Sequence, residues 1–284
     1  MSTNAANSAS ASVGDQPIKQ IVIGLSAVVV IYFFMCAVEI MNNYINRLQG
    51  NRTELLPITY NTANKTFQLP QNPNQSNSLL VQPSNNALTG IEFSYSFFLN
   101  VPSSSYGASN GLQHIFHKGS PSQFPLLGPG VYMHSDTNTL RVYMNTYDTW
   151  NNYVDVENVP IGKWAHIVIA CKASHLEVFV NGNIKSRLGF DLSPPYQNYG
   201  DVYAFSQRRF TLNPAQVSSL TDPFNVTGAV NGQFSRLFYF NYALSYSEIN
   251  SLFNQGPSST IDSTTGSANT QTYLSDTWWT ANFA

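Results

Sequence analysis

An uncharged apolar run near the N-terminus constrains this chain more than any other feature of its sequence. Residues 21–38 carry no charge, and the run extends to residue 41 after a single glutamate. At a rise of 1.5 Å per residue, a helix over the uncharged part is about 27 Å long, close to the hydrocarbon thickness of a bilayer. We therefore predict a transmembrane helix over residues 18–41, preceded by a disordered arm over residues 1–17.

A cleaved signal peptide is the alternative interpretation of the same run. Signal peptides have a basic start, an apolar core of about 7 to 15 residues and small residues at the cleavage site. Here the run is longer, one lysine (Lys19) precedes it, and bulky residues occupy its end: Tyr32, Phe33, Phe34 and Met35. A retained membrane anchor is therefore favoured over a cleaved signal.

The residues that flank the run predict its orientation. Lys19 lies before it, whereas Arg47 and Arg52 follow it. Because basic residues are enriched on the cytoplasmic side, this favours a cytoplasmic C-terminal part. Four glycosylation sequons would mark the opposite side; they are at Asn51, Asn64, Asn74 and Asn225. A chain with this content of Asn, Ser and Thr contains about six sequons by chance, so the four do not change the prediction.

The polarity of the chain comes mainly from uncharged residues. Charged residues make up 10% of the 284, and the formal net charge is -2. A protein that binds nucleic acid needs a basic face to neutralise phosphates, so that class is excluded. The two cysteines, Cys36 and Cys171, are not expected to pair, because the first lies in the membrane run. A disulfide scaffold and a cysteine-based zinc site are therefore not expected.

Beyond the membrane run, the composition changes twice. Residues 42–78 are rich in Asn, Gln, Thr and Pro, which predicts an extended linker, either a free tether or an arm lying on a domain surface. Residues 79–256 form the predicted folded domain, in which short alternating runs bounded by turn residues are typical of antiparallel strands. The runs are Phe93–Leu99, Gly130–His134, Leu140–Asn145, Trp164–Cys171, Leu176–Val180 and Phe234–Phe240.

Two local motifs within the domain predict a turn and a helix. Asn181-Gly182 accepts the positive φ angles of a type I′ hairpin turn after the run that ends at Val180. Ser245 and Glu248 have the spacing of a capping box, and Gly256 is a stop signal. The fold class predicted is therefore all-β: a two-sheet antiparallel jelly-roll sandwich with one short C-terminal helix, preceded by a single transmembrane helix.

Three sequence blocks in this domain resemble one known family. They are Pro160–His166 (Pro-Ile-Gly-Lys-Trp-Ala-His), Leu176–Gly182 (Leu-Glu-Val-Phe-Val-Asn-Gly), and Asn231–Ser245 followed by Glu248-Ile249. In this order they are similar to the laminin-G-like branch of the concanavalin A-like lectin/glucanase superfamily. The resemblance implies a two-sheet jelly roll over residues 79–256. It leaves the function open, because relatives include lectins, adhesion modules, hydrolases and structural domains.

Catalysis is not expected, because the carboxylates of the family's hydrolases are incomplete here. Those hydrolases carry Glu-x-Asp-x-x-Glu, or a close variant, on one strand. The nearest segment in this chain is Tyr153-Val-Asp155-Val-Glu157, with Tyr153 at the position of the nucleophilic glutamate. Asp155 and Glu157 share one face of a strand, and we interpret them as solvated carboxylates near a strand end. The prediction is a protein without enzymatic activity.

No metal or cofactor site is predicted either. His114 and His117 would point to opposite faces of a strand, and His166 is expected at the edge of the core. Many laminin-G-like domains bind calcium, so the resemblance makes Asp136 a conceivable ligand. A calcium site usually needs several oxygen ligands, and the sequence supplies no second acidic partner for Asp136.

An aromatic-rich segment is the first candidate binding surface. Trp150, Tyr147 and Tyr153 are predicted glycan contacts, since exposed aromatic rings stack on sugars. The competing interpretation is that these rings belong to the core, as aromatic residues of a sandwich more often do.

The C-terminal tail, residues 257–284, is the second candidate binding surface. Its first part is rich in Ser and Thr, and its end contains the predicted docking residues Trp278, Trp279 and Phe283. Such side chains are unfavourable in water, and Trp is common at interface hot spots. They either fold back onto their own sandwich or insert into a neighbouring protein or a bilayer surface.

The whole arrangement resembles the membrane-anchored minor capsid proteins of large algal DNA viruses. That resemblance implies a structural protein that links an internal virion membrane to the capsid shell, with the C-terminal domain on the capsid, or cytoplasmic, side. Its partners would be a lipid bilayer and neighbouring capsid or coat proteins. The alternative is a membrane-anchored lectin that recognises cell-surface or cell-wall glycans.

Overall fold

The computed structural model divides the chain into two compact units, residues 1–51 and residues 52–284. The residues that it describes are 15–63, 65–84, 91–107, 110–120, 126–190, 193–213, 220 and 223–262. The first unit contains helix α1, Asp15–Gly50. The elements described in the second unit are β1 Arg52–Asn61, β2 Phe67–Leu69, β3 Phe93–Asn100, β4 Leu112–Ser120, β5 Leu126–His134, β6 Leu140–Met144, β7 Asn152–Val156, β8 Ala165–Lys172, β9 His175–Val180, β10 Asn183–Gly189, β11 Val202–Ala204, β12 Arg209–Leu212, β13 Phe224–Ala229, β14 Gln233–Phe240 and α2 Tyr246–Gln255.

Helix α1 is long and apolar enough to span a membrane over residues 19–48. Its 36 residues correspond to a length of about 54 Å, well beyond the hydrocarbon thickness of a bilayer. The helix continues past residue 41, where we predicted its end, because residues 42–49 contain neither Gly nor Pro to interrupt it. It ends at Gly50, as expected of a residue that favours helix termini.

The predicted linker over residues 42–78 is replaced in part by a strand. Only Asn51 separates α1 from β1, which pairs with β14 at the edge of a sheet. The strand is stabilised by burial of Leu55, Leu56 and Tyr60, and its pairing shifts register around Pro57, as an edge strand tolerates. The prediction of a free tether is therefore wrong for this part of the chain. Burial of the few apolar residues of β1 is enough to form a strand, although the surrounding segment is polar.

The later part of the predicted linker forms the surface arm that was the other alternative. After β2, residues 70–84 run without regular structure and are held by the side chain of Gln71. The Gln71 amide donates to the Leu79 carbonyl (2.8 Å) and accepts from the Val81 N–H (2.8 Å). Leu79 and Val81 pack against the main core. The arm is thus part of the sandwich unit.

Two sheets form the sandwich that the sequence predicts. One has the order β1-β14-β3-β8-β9-β10 and the other β12-β13-β4-β5-β6-β7, with β11 joining β4 to β2. Among the described strands, only β13 and β4 pair in parallel. The main core lies between the sheets, where the rings of Phe97 and Phe116 are 5.4 Å apart. All six predicted runs lie within, or within one residue of, a strand, which confirms the fold class.

The two predicted local motifs are confirmed. Asn181 (φ 51°) and Gly182 (φ 80°) form the turn between β9 and β10. Ser245 and Glu248 form a capping box at the start of α2, and Gly256 ends this helix with a φ of 67°. These motifs are predictable because each depends on residues close in sequence.

The last described residues lie beside β1. The Thr59 N–H donates to the Thr260 carbonyl (2.9 Å), and the Asp262 N–H donates to the Thr59 carbonyl (2.8 Å). This short pairing runs parallel to β1. Lys65 adds an ion pair with Asp262. Part of the exposed edge of the first sheet is thereby covered, which protects it from pairing with another chain.

Candidate functional site

The outer face of the second sheet carries a small aromatic core. Tyr132 on β5 and Tyr143 on β6 alternate with residues of the main core, so their rings lie on the opposite face, where they contact Phe224 of β13. Trp150 stacks on Tyr143 at 6.2 Å and contacts Phe224 edge-on at 5.5 Å. This predicted glycan contact is therefore a half-buried packing residue, and its role toward sugars stays a prediction.

Tyr153, the second predicted glycan contact, is partly engaged with charged neighbours. The guanidinium of Arg141 lies 4.1 Å from its ring centroid, as expected of a cation–π contact. Arg141 also binds both carboxylate oxygens of Asp155, at 2.7 Å each. Tyr153 therefore belongs to an organised charge cluster with 40% of its surface exposed.

Asp155 is held as a carboxylate by this cluster. Burial alone would raise the pKa of Asp155, but the two hydrogen bonds from Arg141 and the nearby His134, whose Nε2 lies 3.8 Å from Oδ1, outweigh it and hold the pKa well below its ordinary value. Such a group cannot supply a proton at neutral pH, which is the task of the acid in glycoside hydrolysis. We interpreted Asp155 and Glu157 as solvated carboxylates. Asp155 is instead paired with Arg141, whereas Glu157 is exposed.

The prediction that His114 and His117 point to opposite faces is wrong. His114 Nε2 lies 2.7 Å from His117 Nδ1, and both rings are buried. The register of β4 against β5 shifts between His114 and Phe116, so one extra residue is inserted and restores both rings to one face. The Ser206 N–H donates to His114 Nδ1, which leaves Nε2 of His114 as the donor to His117.

The other predicted site residues are less organised. Asp136 lies 3.8 Å from His134 Nδ1, and within the described residues no group of three His, Cys, Asp or Glu side chains is placed to hold a metal ion. His166 is buried and bonds to Ser96 Oγ (2.9 Å) beneath the ring of Phe253. The predicted docking residues Trp278, Trp279 and Phe283 lie outside the described residues, so their role stays a prediction.

Exposed tyrosines mark the most open aromatic surface of the described sandwich. Tyr147 is 69% exposed, with its ring centroid 5.2 Å from that of Tyr196, and Tyr199 is 83% exposed. Two hydrogen bonds of 3.0 Å between Asn145 and Tyr196 join the loop after β6 to residues 193–200. We call Tyr147, Tyr196 and Tyr199 the tyrosine rim.

A cavity of about 290 Å³ adjoins the tyrosine rim at Tyr199. The arm and the residue 197–199 segment form its walls. Its lining side chains are Gln71, Pro73, Leu80, Val81, Gln82, Pro83, Lys118, Gln197, Asn198 and Tyr199. Most of the wall area is apolar, and five of the ten lining residues add an amide or an ammonium group that a polar ligand could contact.

Two glycines bring Lys118 to this cavity. A Cβ on Gly119 would lie 1.9 Å from the Leu126 carbonyl oxygen, and one on Gly200 would lie 2.6 Å from the Gly119 Cα. Without side chains, these backbones approach closely enough for Lys118 Nζ to donate to the carbonyls of Asn198 (2.7 Å) and Gly200 (2.8 Å).

Burial changes the acidity of Lys118. Desolvation lowers its pKa to about 8, against an opposing influence of the nearby Asp201 carboxylate. At pH 7 most of the ammonium groups therefore remain charged, although 2% of the residue is exposed. Sequence reasoning missed this lysine and Tyr199. The available signals were a lysine in a strand that contains no other Lys, Arg, Asp or Glu, and a tyrosine among the turn residues of Pro194–Gly200.

Comparisons with solved structures return binding domains of botulinum neurotoxins. The binding domain of serotype G has a TM-score of 0.45 and 16% identity, over 68% of this chain and 43% of that one. The binding domain of botulinum neurotoxin DC in complex with SialylT has a TM-score of 0.41 and 14% identity, over 58% of this chain and 35% of that one. This chain thus spans less than half of either domain. A comparison with curated proteins gives no match.

The sequence itself matches one family model. Residues 73–250, more than half of the chain, match the laminin-G-like model of the concanavalin A-like lectin/glucanases superfamily. This range contains all three blocks on which the resemblance was based, and it includes most of the two-sheet sandwich. The chain therefore belongs to the concanavalin A-like lectin/glucanase superfamily.

Proposed function

We propose that this chain is a non-enzymatic, membrane-anchored glycan-binding protein. Helix α1 serves as the anchor, and the sandwich binds sugar through the tyrosine rim and the adjoining cavity. The observation that carries this proposal is the exposure of Tyr199 at a cavity of about 290 Å³. An exposed aromatic ring offers an apolar face for the C–H surface of a sugar and a hydroxyl for its polar edge. Membership of a lectin-containing superfamily supports the proposal.

The test is glycan binding by the full chain in lipid nanodiscs. On a glycan array, the unmodified chain should bind a defined set of sugars. Tyr199→Ala should weaken that binding about 10-fold or more, because it removes the ring that stacks on the ligand. Tyr246→Ala is the matched control, since Tyr246 is 61% exposed on α2, outside the tyrosine rim. Absence of binding to any glycan, or equal losses in both variants, would refute the proposal.

A structural role in a virion is the second candidate. An apolar helix able to span a membrane supports it, together with the aromatic tail that ends in Trp278, Trp279 and Phe283. In this role the chain is a minor capsid protein that links an internal membrane to the shell, with the sandwich on the cytoplasmic side. Cross-linking from residue 278 to a coat protein in purified particles would support this role. Loss of that cross-link in a Trp279→Ala variant with intact glycan binding would separate the two functions.

A further inference from the structure

Lys118 has one hydrogen-bond donor in excess of its partners. Its ammonium carries three N–H groups, and two of them are used by the carbonyls of Asn198 and Gly200. Within the described part of the chain, the Lys118 ammonium forms no other hydrogen bond. The side chain lines the cavity next to Tyr199.

The carboxylate of Asp201 acts on the charge of Lys118, but it is hydrogen-bonded to other residues. Asp201 acts on the lysine without pairing with it, because its two carboxylate oxygens accept from Gln68 Nε2 (2.8 Å) and the Gln71 N–H (2.9 Å). Among the described residues, no carboxylate lies within ion-pair distance of Lys118. A buried charge without an ion-pair partner favours an anion that can reach it.

Three of the four amide side chains of the cavity wall, those of Gln71, Gln197 and Asn198, are hydrogen-bonded within the protein. Gln197 accepts from the Ser84 N–H (2.9 Å) and donates to Tyr239 Oη (2.8 Å). Gln71 holds the arm through both ends of its amide. These groups build the wall, so the Lys118 ammonium, the exposed Gln82 amide and the Tyr199 hydroxyl are the side-chain groups left for a ligand, and Lys118 alone among them is charged.

We propose that the cavity binds a sugar residue that carries a carboxylate, such as a uronic acid. The carboxylate accepts the third N–H of Lys118, and the sugar ring lies against Tyr199. The inference rests on the proposed glycan-binding function and names its ligand class.

The size of the cavity limits the ligand to one ring. At about 290 Å³ it lies just below the range of ligand pockets, roughly 300–1,000 Å³. A longer glycan would place only one residue inside and rest the remainder on the tyrosine rim. An acidic sugar at a terminal or branch position is therefore the fitting ligand.

The test compares sugars that differ only at C6. The full chain in lipid nanodiscs is titrated with methyl glucuronide and methyl glucoside, and binding is followed by calorimetry or ligand-observed NMR. We expect the glucuronide to bind about 10-fold to 100-fold more tightly, because a charge-assisted hydrogen bond is added. Acetate serves as a carboxylate without a sugar ring and should bind far more weakly than the glucuronide.

Variants then assign the preference to Lys118. Lys118→Met keeps a similar apolar stem and should bring the ratio of the two affinities close to one, because it removes the charge that distinguishes the two sugars. Lys185→Met, on the exposed strand β10, is the matched control and should preserve the ratio. Retained glucoside binding shows that the Lys118→Met chain is folded. If this variant does not fold, the ratio measured with the unmodified chain still decides the inference.

The outcomes separate this inference from the proposed function. Equal affinities for glucuronide and glucoside, or an unchanged ratio in Lys118→Met, would overturn the carboxylate assignment. Glycan binding itself would stand in that case if Tyr199→Ala weakened both ligands. Acetate binding as tight as that of the glucuronide would overturn the sugar component. Failure of every glycan to bind would overturn both proposals.

Discussion

Mild acid should destabilise the sandwich, because it contains buried neutral imidazoles. Burial lowers the pKa of His117 to about 3 and that of His166 to about 4, from an ordinary value of 6.5. Below pH 6.5 the unfolded chain therefore binds protons that the folded chain does not. The free energy of unfolding falls as the pH is lowered through this range.

The size of the effect follows from these values. At pH 5, a histidine with a normal pKa when unfolded and a pKa of 3 to 4 when folded lowers the free energy of unfolding by about 2 kcal/mol. His117 and His166 together give about 4 kcal/mol, and His114, whose pKa burial also lowers, adds in the same direction. The loss is large against the roughly 5–15 kcal/mol that stabilises a typical domain. An ordinary Asp or Glu carboxyl has a pKa of about 4, so protonation of carboxylates contributes little to a comparison made at pH 5 and above.

The measurement is urea unfolding of the full chain in nanodiscs at pH 7.5 and pH 5, followed by tryptophan fluorescence. The difference between the two conditions should be about 4 kcal/mol or more, and it should fall by about 2 kcal/mol in His117→Gln. Repeating the titration in about 0.5 M NaCl controls for surface charges, because salt screens these and leaves desolvation unaffected. A difference below about 1 kcal/mol in the unmodified chain would refute the argument.

Three further predictions concern the cap, the cavity and the membrane orientation. Ser245→Ala should lower the free energy of unfolding by about 1 kcal/mol in the same urea assay, because it removes the capping box of α2, and an unchanged midpoint would contradict this role. Gly200→Ala should reduce both stability and glycan binding, since its new Cβ would lie 2.6 Å from the Gly119 Cα. Thermal unfolding followed by circular dichroism measures the stability, and the glycan array measures the binding. Normal binding would show that the close approach of the two glycines is not required. If the sandwich faces away from the cytoplasm, as binding of surface glycans requires, Asn74 in its exposed turn should be glycosylated when the chain is made with microsomes. Asn74→Gln should then lose one glycan, which is measured as faster migration on a gel. A chain without glycan would favour the cytoplasmic placement of the virion role.

Local sequence signals predicted much of this fold. The Asn181-Gly182 turn and the Ser245–Glu248 capping box depend on neighbours within a few residues, and the alternating runs form strands because one face of each is buried. Strand β1 was missed because its apolar residues lie in a polar segment and are paired with β14, far away in sequence. Non-local pairing of this kind leaves little trace in a local pattern.

The candidate site was harder to predict than the fold. The histidine pair in β4 depends on a register shift that only the partner strand reveals. The position of Lys118 depends on close contact between Gly119 and Gly200, which are about eighty residues apart in the chain. Tyr147 of the tyrosine rim was singled out as a glycan contact, which stays a prediction, whereas Trp150 packs on Tyr143. Sites assembled from distant segments are less visible in sequence than strands and caps.

The parallel pairing beside β1 has a mechanical consequence. Helix α1 precedes this strand, which begins at Arg52, whereas Asp262 lies near the opposite end of the strand, beside Lys65. If the tail grips a partner while α1 stays in a bilayer, tension runs along the length of β1. The force then acts parallel to the strand, so that all hydrogen bonds between β1 and β14 are loaded together in shear instead of breaking one after another. A joint of this kind tolerates pulling that would peel a strand from its end.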